Sequence, residues 1–386
     1  MFVDAFKEHA HIDFLFFIPP KSKLTKETLT EYVNRFWSVP SFDIYFETRD
    51  REPGDRHLVK DYLLPILKAS YQQRFSGCVS ERHLEALGRS LENNPDRIFA
   101  HKLGTMCLLR KIKRKLPPIY FDMDDIEHIY LRRSIAQPPF WRAKYLRYLN
   151  IPALKYAEKK ACLLAERTFI CSQADKEYLN RLYRTSRVTV IENGVPIPSI
   201  GKLRSSKKGH LVVYVGTYGY TPNVNAAEDL IFKIFPVIRQ SIPEARLLIV
   251  GKGPENIQGF SSAPAGVEFT GFVESLDEIY QQADIVCCPI TCGAGTRIKI
   301  IEAASFNKPV ISTKLGAEGL KFIDKEEIII RDNPEDIALQ CVALLEDTAK
   351  RKRIGRAARS KVKYLYSEDA IQKKIRKFMC ISSDLI

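Results

Sequence analysis

Short apolar runs at Ile12 to Ile18, Phe42 to Phe46, Ile98 to Ala100, Ile119 to Phe121 and Phe169 to Cys171 punctuate the first half of the chain, separated by longer stretches with helical spacing. Runs of that length, bounded by turn residues, read as strands. Their alternation with helix-length segments predicts an α/β unit built on a parallel sheet. Between Glu192 and His210 the periodicity fails in a stretch of Pro, Gly, Ser and Lys, which reads as a linker. A strand-like run then returns at Ile285 to Pro289. The predicted organisation is one α/β domain over 1–195, a hinge or linker over 196–210, a second α/β domain over 211–365, and a terminal helix over 366–386. At 386 residues and 44.2 kDa each domain is long enough for its own core. No internal repeat or low-complexity tract is evident.

The segment carrying most chemistry is Pro289 to Thr313, PITCGAGTRIKIIEAASFNKPVIST. A buried strand there runs into Gly293-Ala294-Gly295-Thr296, small residues that let backbone approach a ligand. From Arg297 to Phe306 the residues favour a helix, whose free amides and positive dipole end would face an anion. Arg297 and Lys299 fall in the first turn, where cations oppose the dipole unless an anion compensates. Glu302 follows Lys299 by three positions and shares its face, while Ile298, Ile301 and Ser305 turn to the other. A carboxylate so placed is suited to a pair of ribose hydroxyls. The structural alternative is an amphipathic crossover helix with a Lys299–Glu302 surface pair.

This segment resembles the donor-site motif of the family-4, or group 1, glycosyltransferases, which have the GT-B fold of two Rossmann-like, doubly wound domains facing a cleft. Leu211 to Pro254 resembles the first strand, helix and second strand of that family's C-terminal domain. Val267 to Ile290 resembles its nucleotide-contacting loop and following strand, and Gly316 to Leu320 closes the pattern. The resemblance covers most of 211–325. It implies that Glu302 holds ribose hydroxyls, that Arg297 and Lys299 neutralise a diphosphate, and that Gly216-Thr217 bring amides near the leaving phosphate. It also assigns donor contacts to Gly271-Phe272-Val273 and the loop Gly293 to Thr296. Many relatives carry a second glutamate eight positions before Glu302, contacting the sugar; this chain has Ala294 there, and a subgroup with a GGGTRLK-like motif lacks that glutamate too.

The first domain is implied to bind the acceptor, and its start departs from the family. MFVDAFKEHAHIDFLFFIPP resembles the family's first helix and second strand, so the first strand is expected to be missing, through truncation or a misassigned start. Phe121 to Glu127 follows a strand-like run, where ligands of open α/β sheets gather. Asp122 or Asp125 is placed to orient an acceptor hydroxyl; helix capping by the same acids is the alternative. No metal is expected, because a donor site of this kind uses cations and helix dipoles. His101, after the strand at Ile98, is a further candidate beside the simpler role of satisfying local hydrogen bonds.

Charge narrows the partners. Lys and Arg number 60 against 46 Asp and Glu, a net charge of +14. Residues 101–196 hold 19 cations and 9 anions, 19 − 9 = +10 of that total. Leu108 to Pro118 and Pro138 to Lys160 interleave apolar residues, aromatic in the second run, with cations, as surface helices on anionic lipid do, though a solvated face is an equal reading. No nucleic-acid-binding signature is present. No apolar stretch reaches membrane-span length, and Asp4 and Glu8 ahead of a short apolar run differ from a signal peptide. Nine cysteines, several in apolar runs, suit buried thiols. A nicotinamide dehydrogenase is disfavoured, since Gly216-Thr217-Tyr218-Gly219 and Gly251-Lys252-Gly253 fall short of its glycine turn.

The expectation is a metal-independent, retaining hexosyltransferase without cofactor. It would use a UDP or GDP sugar and a glycan or lipid-linked acceptor, in cell-surface polysaccharide or glycolipid synthesis. A cytoplasmic location at the inner face of the membrane goes with it. A non-catalytic sugar-nucleotide-binding or scaffold relative is the alternative.

Overall fold

The computed structural model describes residues 1–50, 63–67, 80–136, 140, 142–199 and 209–379. The chain forms two compact units, Met1–Ile191 with Gln372–Ile386, and Glu192–Ile371. The first crossing thus falls just ahead of the anticipated linker, of which 200–208 lie outside the described residues. The second falls inside the helix Glu368–Phe378, where the Arg167 guanidinium lies over the Phe378 ring at 5.4 Å.

In the first unit β1 (Ile12–Ile18) pairs in parallel with β2 (Phe42–Thr48). A second parallel sheet joins β3 (Ile98–His101), β4 (Ile119–Asp122), β5 (Arg167–Ile170) and β6 (Val188–Val190) in sequence order. From Phe14 to Ile18 β1 is apolar, with side chains of both faces packed against neighbouring elements. Phe14, Phe16 and Ile18 pack with Leu29 and Val33 of the helix Lys26–Phe36, while Leu15 and Phe17 pack toward the core around Met106, Phe121 and Cys162. The sheet of this unit is therefore in two pieces rather than one, with β1 joined only to β2 and β3 only to β4 among the described residues. β6, only three residues long, has no sequence signal of its own.

The second unit is a six-stranded parallel sheet in the order β12-β11-β10-β7-β8-β9. Its strands are β7 (Leu211–Val215), β8 (Arg246–Val250), β9 (Val267–Gly271), β10 (Ile285–Cys288), β11 (Val310–Ser312) and β12 (Ile329–Ile330). β7 and β10 are buried almost to the last residue, as continuous Val/Ile/Cys/Tyr runs require of central strands. The backbone at Val195 joins this unit, its N–H donating to the Tyr366 carbonyl at 2.8 Å. All seven described cysteines are free and buried. Among the described residues no helix is long and apolar enough to cross a membrane.

Candidate functional site

Strand order places the site in the second unit. From β7 the chain steps to β8 and β9 on one side, then returns across β7 to β10 and continues outward through β11 and β12. The reversal leaves a switch point between β7 and β10, where neighbouring crossovers depart in opposite directions and open a crevice beyond the carboxyl ends. Gly216-Thr217 follow β7 and the loop before Arg297 follows β10, so both flank that crevice. Gly271 ends the outer strand β9 and Phe272-Val273 follow it at the same sheet edge.

Close backbone packing shapes this edge. The Gly216 N–H donates to the Val250 carbonyl at 2.9 Å, and the Gly251 N–H to the Gly271 carbonyl at 2.9 Å. A Cβ on Gly251, whose φ is +135°, would stand 1.7 Å from the Gly216 carbonyl oxygen. Across the crevice Gly293 has φ +100°, and a Cβ there would come within 2.8 Å of the Tyr220 hydroxyl. These glycines let loops approach where side chains would separate them. Phe272 is left 72% exposed beside them, an aromatic face without a packing role.

The helix after the loop spans Ile298–Ser305, with Arg297 at its N-cap rather than in its first turn. Ile298 is exposed, against expectation, while Ile301 and Ser305 are buried with Ile300. Arg297 is buried and turns back on its own loop, donating to the carbonyls of Ala294 at 2.6 Å, of Cys292 at 3.4 Å and of Gly295. The guanidinium therefore holds the loop from Cys292 to Gly295 in shape. Lys299 points to the switch point. Its ammonium donates to Asn223 Oδ1 at 2.8 Å and the Tyr214 hydroxyl at 3.4 Å, and sits 4.6 Å from the Tyr214 ring centroid. Burial pulls its pKa down, with the neighbouring Arg297 charge adding to the effect. Among the described residues no carboxylate forms an ion pair with it. Glu302 instead accepts from the Tyr280 hydroxyl at 3.3 Å, and burial pushes its pKa up. The Lys299–Glu302 surface pair does not form, because each side chain has a partner from another element.

In the first unit Asp122 ends β4 and His101 ends the adjacent β3. The strand register sets them opposite one another, and His101 Nδ1 lies 2.8 Å from Asp122 Oδ2. The turn that follows is tight: Asp124 has φ +61°, and the Asp125 N–H donates to the Met123 carbonyl at 2.8 Å. Burial, and after it the charges of Asp122, Asp124 and Asp125, drive the Cys171 thiol far up in pKa, which marks how these acids gather over the end of β5. Beneath the turn Glu158 is fully buried and accepts from the His128 N–H at 3.0 Å, from His128 Nδ1 at 2.6 Å and from the Tyr183 hydroxyl at 2.6 Å. Among the described residues the one group whose ligand atoms lie close enough to share an ion is His11, Asp13 and Asp43, at the amino ends of β1 and β2.

Asn223, Tyr214, Tyr280 and the His128–Glu158 pair were not legible as site residues. Tyr214 belongs to an apolar strand run, and Asn223 looks like an ordinary helix-start residue until its burial is seen. The His101–Asp122 pairing depends on strand order, which the candidates taken singly do not reveal.

Residues 209–347 match the family model of the Glycosyl transferases group 1. Phosphatidyl-myo-inositol mannosyltransferase of Mycobacterium leprae is 26% identical over 174 residues, 42% of this chain and 46% of its own, so the match spans about half of that relative. Among solved structures, sucrose-phosphate synthase from Thermosynechococcus elongatus superposes with a TM-score of 0.68 at 15% identity, covering 97% of this chain and 100% of that one. The HepE protein of Anabaena in complex with UDP and glucose gives 0.63 at 15% identity, covering 98% and 95%. Residues 209–347 are thus similar to the group 1 glycosyl transferases, and the fold of the chain is the GT-B fold.

Proposed function

We propose that the protein transfers a hexose from a nucleotide diphosphate sugar, of the UDP or GDP type, to a hydroxyl of a glycan or lipid-linked acceptor, with retention of anomeric configuration and without a metal. The product would be a cell-surface polysaccharide or glycolipid. The observation that carries this reading is Lys299, a desolvated ammonium at the switch point that forms no ion pair with a carboxylate among the described residues, the nearby Glu302 charge offsetting its burial only in part. A diphosphate would supply the missing charge, and stabilising it as it departs is electrostatic preorganisation. Arg297 contributes by shaping the loop whose amides, with that of Thr217, would face the same oxygens; the Gly216 N–H is already given to the Val250 carbonyl. Glu302 takes the ribose hydroxyls in place of the Tyr280 hydroxyl, and Gly271, exposed Phe272 and Val273 form the platform for the base. His101 and Asp122, with Asp125 in the same turn, supply acceptor contacts in the first unit. The HepE complex with UDP and glucose and the mannosyltransferase relative support this class of donor.

The test is calorimetric binding of UDP, GDP, ADP and their sugars to the protein and to Glu302→Ala, followed by turnover with and without chelator and determination of the product anomer. Selective binding of one nucleotide, lost in the variant, is expected. Equal binding by the variant would remove Glu302 from the site. Tight binding without turnover across an acceptor screen would favour the non-catalytic sugar-nucleotide-binding alternative.

A further inference from the structure

A groove of about 830 Å³ opens in the first unit at the amino-terminal end of β4, beside Ile119 and therefore at the opposite end of the strand from Asp122. Its floor is aliphatic, made by Leu116 with Leu163 and Leu164 at the end of the helix Ile151–Leu164; the last two are 46% and 41% exposed. Adjacent exposed leucines are an unusual choice for a solvated helix end. Around the floor stand Arg110, Arg114, Lys115 and Lys160, against the single carboxylate of Glu166. Arg114 and Lys115 have no ion-pair partner among the described residues. Arg110 and Lys160 lie over the ring of Tyr156, at 5.9 and 5.5 Å from its centroid.

We propose that this groove binds an acidic phospholipid, its phosphate held by the cationic rim and its apolar part laid on the leucines. The pairing of surfaces decides the ligand class. Four cations about an aliphatic floor match a molecule with an anionic head and a hydrocarbon body. Nucleic acid fits less well, since bases need open aromatic faces to stack on and the Tyr156 ring already carries two cations. The site is separate from the switch-point crevice and does not rest on the transferase reading. It would hold the first unit against an anionic membrane surface through the end of the sheet remote from the acidic turn.

Cosedimentation of the full chain with vesicles tests this, using phosphatidylcholine alone and phosphatidylcholine with phosphatidylglycerol in equal parts. Binding is expected only to the anionic vesicles. Arg114→Gln combined with Lys115→Gln should weaken it about thirtyfold, from the contribution of each cation near such a surface. Leu163→Ser combined with Leu164→Ser should weaken it as well. Lys352→Gln with Arg353→Gln, the same charge change on an exposed helix of the second unit, should leave it within about twofold of the parent, as rim specificity and not net charge requires. Equal loss in that control, or no loss in either groove variant, would overturn the proposal. So would competition by soluble glycerol phosphate as effective as by lipid, which would make the groove a plain anion site. Circular dichroism and nucleotide binding on the same samples separate a folding defect, or a failure of the nucleotide reading, from loss of the lipid site.

Discussion

Lys299→Gln separates a ligand-binding cation from a structural one. In the wild-type chain the ammonium is desolvated, with one neutral acceptor at 2.8 Å and an aromatic face, and Arg297 adds a like charge nearby. That arrangement costs the unliganded protein stability, because burial without an ion-paired carboxylate disfavours the ionised form. A hydrogen bond to a charged group contributes about 1.5–3 kcal/mol, so removing the ammonium should lower UDP or GDP affinity by about 10- to 150-fold. The unliganded variant should melt no lower than the parent, since Gln keeps a polar contact to Asn223 without the charge. Because the folded-state pKa lies below the ordinary 10.5, the unfolded chain binds more protons in the alkaline range. Wild-type stability should therefore rise with pH as that lysine discharges, and the variant should lose this component. Calorimetric titration with the nucleotide and thermal melts across pH read both effects. A variant that melts several degrees lower yet binds nucleotide within twofold of the parent would refute the reasoning, making Lys299 a packing residue.

Other perturbations probe the scaffold. Gly251→Ala forces a Cβ to 1.7 Å from the Gly216 carbonyl oxygen at a φ of +135°, and should cost about 3 kcal/mol or more and reduce nucleotide binding; Gly88→Ala, in the helix Glu81–Ser90 with open space around it, should instead gain up to about 1 kcal/mol, and denaturant titration of the two checks the contrast. Glu158→Gln leaves His128 and Tyr183 without the carboxylate they share, so thermal unfolding should report a loss of about 1–3 kcal/mol, and a melt like the parent's would contradict the buried network. Burial lowers the Lys308 pKa to about 8 from 10.5, so its share of stability should increase as pH rises through that window. Lys308→Met should flatten the rise in pH-dependent melts.

What was legible along the chain was the kind of chemistry at each strand end, and what was not was its counterpart. The loop from Gly293 and the cations after it stand in consecutive residues, so a short-range pattern suffices to mark them. The seat of Lys299 is Asn223, 76 positions earlier, and only the return of β10 to the side of β7 brings the two together. Arg297 shows the converse. A cation at a helix start signals an anion, yet burial within the loop gives its guanidinium nearer acceptors in the carbonyls of Cys292, Ala294 and Gly295, so its charge serves loop geometry first. In the first unit Asp122 and His101 stand 21 positions apart, each readable as a strand-end candidate, and parallel pairing of β3 with β4 turns two candidates into one hydrogen-bonded pair. A side chain's chemical type is local, whereas its ionisation and its partner are set by register, which depends on every crossover in between.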